Sequence, residues 1–592
     1  MTLSLADWII IAVYFVVSAS IGLYYTKRAG RSLADYFLSG RSLPWWLAGT
    51  SMVATTFAAD TPLVVTGLVV KYGVAGNWLW WNMALSGLLT VFLFSRLWRR
   101  AGVLTDVELV ELRYGGRPAA VLRGARALYL AIPINLIIMG WVTKAMADVL
   151  EITLGISGWR VAVLLFLITA GYSILSGLWG VVVTDFFQFI VAMGGSILLA
   201  VLAVNKVGGI DRLTALAAER YGSHEAALGI LPPVDGAWLP LSSLVVFLAV
   251  QWWASWYPGA EPGGGGYVAQ RIMSAKDERH GLLATLWFNI AHYALRPWPW
   301  ILVGLFAAVT YPDLTAGGAD PGRGYARAMV DLLPSPLRGL LLAAFAAAYM
   351  STIATHLNWG TSYFVNDFWL RFVRRDAGTR EQILVSRVAT GALMVLALVV
   401  MRYLGTIEAG WRLLLGIGAG TGLVLILRWY WWRVNAWSEL VAMGASLVVS
   451  VWLWRGAGMS ADDPMALVLT VAATTAAWLA ATLLTRPEAP ETLERFYQRA
   501  RPGGPGWRAV AARLGFAEDR IPGGALSWVN WVAGWLAVYA TLFGIGQLVI
   551  GTFGRALAFL VAAALLFALI ARNLRADKSF RSGPVDSIAA MP

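Results

Sequence analysis

The chain contains no cysteine. Disulfides and thiolate metal sites are therefore excluded. Charge is also scarce: Asp, Glu, Lys and Arg make up only 13% of the residues, against roughly a quarter in an ordinary globular domain. Histidine is rarer still, with four in 592 residues. His292 has no metal partner at helical spacing, which argues against a membrane-embedded metalloenzyme and for a chain that is not an enzyme. The first apolar run lacks a preceding basic region and a following small-residue cleavage site, so it is expected to be a retained helix rather than a signal peptide.

What replaces charge is apolar surface. Hydrophobic residues are 59% of the chain. Runs such as Trp8 to Tyr25, Leu241 to Tyr257 and Ala556 to Ala571 approach the ~20 residues a helix needs to cross a bilayer. In hydrocarbon every backbone amide must bond internally, so such runs must be helices. They do not alternate polar and apolar, as barrel strands would. The expectation is an all-α polytopic membrane protein with about fifteen spans. They fall near 7–26, 42–70, 75–98, 124–149, 159–177, 179–204, 241–257, 282–310, 338–369, 383–404, 411–431, 434–455, 465–485, 527–552 and 555–572.

The net charge is +13. In a soluble protein that balance would suggest nucleic acid. Here its distribution explains it. With the N-terminus outside, every second loop is cytoplasmic. Those loops collect Lys27, Arg28, Arg31 and Arg41, then Arg99, Arg100, Arg113, Arg117, Arg123 and Arg126, then Arg271, Lys276 and Arg279. Later ones carry Arg371, Arg374, Arg375, Arg380 and Arg387, the 486–520 stretch, and Arg572, Arg575, Lys578 and Arg581. The positive-inside rule then predicts a multi-pass protein of the cell (inner) membrane, N-terminus outside and C-terminus cytoplasmic. The bilayer is the partner this charge pattern needs, and no nucleic acid is called for.

The longest external segments are 205–240 and 311–337, the first with a short surface helix expected at Asp211 to Tyr221. The longest internal segment, 486–525, is rich in Arg, Pro and Gly and reads as a cytoplasmic linker. The 31 tryptophans are expected mainly as interfacial anchors.

Polar and helix-breaking groups inside the spans carry the functional signal, because intramembrane ionisable residues are costly and face a pathway or a partner. The second span holds Thr55, Thr56, Asp60, Thr61 and Pro62. A proline beside a buried carboxylate suggests a discontinuous helix whose freed carbonyls coordinate a cation. A proline kink packed against its neighbours would look the same. Asp185 lies about two turns into the sixth span, where it would attract a hard cation or pair with a loop arginine. Ser351 and Thr352 sit among small residues in the ninth span. Their hydroxyls suit sodium but also satisfy helix carbonyls. In the eighth span Asn289, His292 and Arg296 share one face, and Pro297 and Pro299 after them predict a kink. So deep an arginine needs an anion, water or a carboxylate such as Asp60 or Asp148. Substrate contact and structural pairing both stay open. The stretch Pro258 to Gly266 lacks a P-loop lysine and follows no strand. It reads as a hinge or broken helix end.

These residues also carry a resemblance. The segment DYFLSGRSLPWWLAGTSMVATTFAAD (Asp35 to Asp60) resembles the opening signature of the sodium:solute symporter family. SGLWGVVVTDFFQ (Ser176 to Gln188), YVAQRIMSAKDERHG (Tyr267 to Gly281) and AAAYMST (Ala346 to Thr352) resemble three further family segments in order. The resemblance implies a LeuT-type core of two inverted five-helix repeats, here 42–204 and 241–433, each opening on a discontinuous helix. Around them would lie an N-terminal helix and loop (1–41), an external loop (205–240), peripheral helices (434–485), the linker (486–525), and two last helices with a tail (526–592). It further implies a sodium site made by the carbonyls of Ala54, Phe57 and Ala348 and the hydroxyls of Ser351 and Thr352, with Asp185 nearby. No departure in sequence disables that site. The substrate positions differ. Where sugar-binding members have a glutamate and a serine, this chain has Trp80 and Met83. Thr61 replaces a glutamine, and Arg296 replaces a lysine. An arginine with Asp60, Thr61, Asn289 and His292 and an aromatic wall of Trp80, Trp81, Trp252 and Trp256 suits a carboxylate, a uronate or a ring-shaped solute.

The implied function is sodium-coupled symport of a small polar organic solute such as a sugar, uronate or other carboxylate. Sodium is the coupling ion and no organic cofactor is expected. A sodium-independent uniporter or channel, and a transporter-like solute sensor, are the alternatives.

Overall fold

The computed structural model describes residues 3–577 apart from 30–37, 158, 161–162, 166, 168, 170–176, 233–240, 256–260, 316–319, 405 and 461–462. Among the described residues the chain is helical without a strand, and one isolated bridge joins Leu43 to Ala275. Among the described residues nine helices are long and apolar enough to cross a membrane, and two bent pairs bring the number to eleven. Two shorter apolar helices, Leu5–Ser18 and Leu241–Ala254, fall where the first and seventh spans were expected. The expected fifth span, 159–177, lies largely outside the described residues. The eighth is two helices, Glu278–Ile290 and Pro297–Thr310, joined by a wide turn. A surface helix runs over Ile210–Tyr221.

The second span is broken. Trp45–Thr55 and Asp60–Tyr72 meet at 59°. Pro62 stands in the first turn of the second half, where a missing N–H costs nothing. It starts a helix there rather than kinking one. Asp60 occupies the same turn, at the end where the helix dipole favours negative charge. The freed groups find local partners: the Phe57 N–H bonds to the Ala54 carbonyl at 2.9 Å, and the Thr61 hydroxyl to the Thr56 carbonyl at 3.0 Å.

The eleventh span, expected to be continuous, is also broken. Gly410–Ile417 and Gly422–Tyr430 meet at 48°. Gly420 has φ +86°, a left-handed conformation open to glycine, and a Cβ there would meet Thr474. Its N–H bonds to the Ala254 carbonyl at 2.9 Å, where the first half of the seventh span stops. That span resumes at Gly266–Ser274 after the turn Glu261 to Gly265.

The segment 486–525 is a folded strap, not a bare linker. It carries helices Pro490–Ala500 and Arg508–Arg513 and buries Phe496, Tyr497 and Trp507 against the ends of other spans. Trp507 donates to the Trp429 carbonyl at 2.7 Å. The fully buried Arg113 donates to the carbonyls of Arg428, Trp431, Trp432 and Val434, with its guanidinium 4.8 Å from the Trp507 ring. A minority of the tryptophans are core residues instead of anchors: Trp81, Trp98, Trp141, Trp300, Trp429, Trp478 and Trp507 are fully buried.

Candidate functional site

The break in the second span opens onto a central cavity of about 830 Å³ of non-atom space, open solvent at its mouth included. Its lining, aromatic and apolar with a few convergent polar groups, is that of a small-molecule site. Thr55, Thr56, Asp60 and Thr61 reach it from the second span, Trp80 and Met83 from the third, Trp141 from the fourth, and Tyr267 from the seventh. His292, Tyr293 and Arg296 come from the eighth, Thr352 and His356 from the ninth, and Trp411 from the eleventh.

The eighth span shows how sequence places such groups. Pro297 has no N–H, and its ring crowds the carbonyl four residues back. The turn before it widens, and the Arg296 N–H reaches back five residues to Ala291 at 3.2 Å. The wide turn Ala291–Leu295 carries His292 and Tyr293 to the cavity wall, with Arg296 directly after it. Wide turns of this kind recur at functional sites. Arg296 is fully buried. It donates to the Val53 carbonyl at 3.2 Å and the Thr56 hydroxyl at 3.0 Å, and its guanidinium lies 5.2 Å from the Trp300 ring. Asp148, one of its two expected partners, pairs instead with Lys144 at 3.3 Å and Arg323 at 3.6 Å. Asp60, the other, lines the same cavity and accepts from the Trp411 indole at 3.2 Å. Trp80 stacks on Tyr293 at 5.8 Å and meets His292 edge-on at 5.5 Å.

Beside the cavity lies a second cluster. Asp185 is fully buried and accepts from the Ser51 hydroxyl at 2.7 Å and from the Ser351 hydroxyl at 2.6 Å. One carboxylate thus ties the second, sixth and ninth spans. Thr352, next to Ser351, is 3% exposed, and its hydroxyl oxygen has no hydrogen-bond partner among the described residues. Phe57 and Ala348 are buried, and Phe57 packs on Phe345 of the same ninth span at 6.4 Å. Ala54 sits at the last turn before the break.

Of the expected solute contacts, Asp60, Thr61, Trp80, Met83, His292 and Arg296 line the cavity together. Asn289 does not: it is buried against Gly87 and donates to the Thr285 carbonyl at 2.8 Å. Trp252 points elsewhere too, packing at a tilt against Trp531 with ring centres 5.6 Å apart. Trp81, placed in the aromatic wall, packs against Trp78 instead. Trp256 lies outside the described residues. Sequence reasoning missed Trp141, Tyr267, Tyr293, His356 and Trp411. His356 had a signal: it stands one turn after Thr352 on the same helix face, and it bonds Asn135 at 2.7 Å.

The sequence profile of the sodium:solute symporter family matches residues 36–445. The chain belongs to that family. The symporter is 28% identical to a zebrafish (Danio rerio) protein named sodium/glucose cotransporter 4, over 76% of this chain and 72% of the relative. It is 25% identical to the sodium/glucose cotransporter of Vibrio parahaemolyticus, over 76% of this chain and 85% of the relative. Among solved structures, a substrate-bound, outward-open sodium-coupled sialic acid symporter superposes with a TM-score of 0.66 at 19% identity, covering 82% of this chain and 99% of that one. The symporter thus has the LeuT-type fold, and it is a multi-pass membrane transporter of the sodium:solute class.

Proposed function

We propose that the chain uses an inward sodium gradient to take up a small polar organic solute by alternating access. The observation that carries this reading is Asp185, held by Ser51 and Ser351 beside the unpartnered hydroxyl of Thr352. A hydroxyl that gives its proton to a carboxylate keeps its lone pairs for a cation. Sodium, a hard ion, would bind the hydroxyls of Ser351 and Thr352 and the carbonyls of Ala54, Phe57 and Ala348, with Asp185 supplying nearby charge. Because these ligands sit on the second and ninth spans, the ion would favour the arrangement that holds those spans together. Solute binding would then be tighter in that state, which is what coupling requires.

The solute would occupy the central cavity, between Arg296 with His292 on one wall and the aromatic faces of Trp80 and Tyr293. The names of the glucose-cotransporter relatives favour a sugar-class solute. Arg296, and Trp80 and Met83 at the family's sugar-contact positions, favour a carboxylate-bearing member such as a uronate. The loop charges support an inner-membrane protein with its N-terminus outside and C-terminus inside, and the family resemblance supports inverted repeats over 42–204 and 241–433.

Uptake into sealed proteoliposomes tests the reading, with and without an imposed sodium gradient, across sugars, uronates, amino acids and carboxylates. Sodium-driven accumulation of one class is the expected result. Equilibration without accumulation would replace symport with a uniporter. Sodium-dependent stabilisation without any uptake would point to a sensor.

A further inference from the structure

The two C-terminal spans, Ala525–Ile550 and Phe553–Ala576, lie beyond the residues that the family profile matches. The first of them runs along the third span and along the wide turn of the eighth. Those two places supply Trp80, Met83 and His292 to the cavity.

The third span is irregular where it meets the cavity. Trp78–Trp81 and Ala84–Leu89 are separate helical pieces, with Asn82 and Met83 in a turn between them. There the Met83 N–H bonds to the Trp80 carbonyl at 3.1 Å, and the Leu85 N–H to the Asn82 carbonyl at 3.2 Å. A regular ladder would send Leu85 to Trp81. The Trp81 carbonyl accepts instead from the phenol of Tyr539, at 2.9 Å. One turn on, the Leu85 carbonyl accepts from the Trp531 indole at 3.0 Å. The Tyr539 ring packs 5.4 Å from Trp78 and lies parallel to Phe543 at 5.8 Å. An unmet carbonyl is costly away from water. The phenol therefore lets the third span keep the turn that aims Trp80 and Met83 at the cavity.

We infer that Tyr539 is a positioning residue for solute recognition: through the Trp81 carbonyl it holds the Trp80–Met83 turn, so the C-terminal pair of spans helps set solute affinity and selectivity. This rests on the reading that the central cavity takes the solute. A helix that served only as a peripheral anchor would need no polar bond into an irregular turn of the cavity wall.

Tyr539→Phe removes one oxygen and keeps the ring. In sodium-driven uptake it should raise the solute KM roughly two- to tenfold, the effect of one lost hydrogen bond. Maximal rate and sodium half-saturation should not move. An unchanged KM overturns the inference, as does a fall in maximal rate and thermal midpoint with KM preserved. A second measurement needs no transport. Because the chain lacks cysteine, Met83→Cys places a single thiol at the turn. Its modification rate by a small methanethiosulfonate, in purified protein, should differ severalfold between the Tyr539 and Tyr539→Phe backgrounds. Equal rates overturn the inference whatever the solute is. Failure of sodium-driven uptake would count against the transport reading alone and leave the labelling comparison to decide.

Discussion

Ser351 and Thr352 are neighbours that do different things. Ser351 donates to Asp185, so its loss removes a partner of a buried carboxylate and, on the proposed reading, a cation ligand. Ser351→Ala should raise the sodium concentration for half-maximal uptake about tenfold or more, since a hydrogen bond to a charged group contributes ~1.5–3 kcal/mol. Unchanged sodium dependence would remove Ser351 from the site. The Thr352 hydroxyl has no protein partner, so in the absence of sodium it is a buried polar group without compensation. Thr352→Val should therefore hold or raise the thermal midpoint of the sodium-free protein while weakening sodium activation. A variant that loses stability without sodium would show that the hydroxyl serves the fold. Arg296 reaches the Val53 carbonyl and the Thr56 hydroxyl at once. Both bonds leave one guanidinium nitrogen while the other faces His292 at 3.5 Å, a spread that the compact ammonium of lysine does not reproduce. Arg296→Lys should abolish or strongly depress solute accumulation while sodium still stabilises the protein. Retained solute KM would move recognition elsewhere in the cavity.

At the scale of elements, breaks and turns set the geometry, and they differ in how they announce themselves. The break of the second span was legible because Asp60 and Pro62 interrupt an apolar run. That of the eleventh was not: its linker Gly418 to Thr421 holds small residues that a continuous membrane helix also tolerates. Gly420→Ala would force a side chain into a left-handed conformation against Thr474. It should cost about 1–3 kcal/mol, read as a lower thermal midpoint, and an unchanged midpoint would show that the break can relax. The strap at 486–525 was hidden by its own composition. Arg, Pro and Gly mask the few aromatic residues that bury it. Trp507→Ala should destabilise the protein by about 3–5 kcal/mol, as deletion of a fully buried aromatic does. The candidate ion cluster was legible because Ser351, Thr352 and Asp185 fall inside recognisable segments. Trp411 and Tyr539 were not, since each meets its cavity-side partner across hundreds of residues: 351 from Trp411 to Asp60 and 458 from Tyr539 to Trp81.

For the molecule as a whole, sodium binding must appear as stability, because an ion that binds only the folded state stabilises it by mass action. At one hundred times its dissociation constant, sodium should add about 2.7 kcal/mol. The purified protein should therefore melt higher in sodium chloride than in choline chloride, and Ser351→Ala should blunt the difference. No difference in the wild-type chain would count against the ion site as a whole.

The strap also bears on how the chain is made. Arg113 lies fully buried beneath Phe496 and Trp507, and the carbonyls it satisfies belong to residues 428 to 434. During synthesis the arginine emerges nearly four hundred residues before its aromatic lid. Until then the cation waits uncovered, and the polar end of the eleventh span joins it from residue 434 until Phe496 follows. Membrane insertion of the core can thus run ahead of its completion, and the strap seals what the earlier spans leave open. A nascent protein that stops short of residue 490 would carry that seam exposed, a feature that quality-control proteases can read as unfinished.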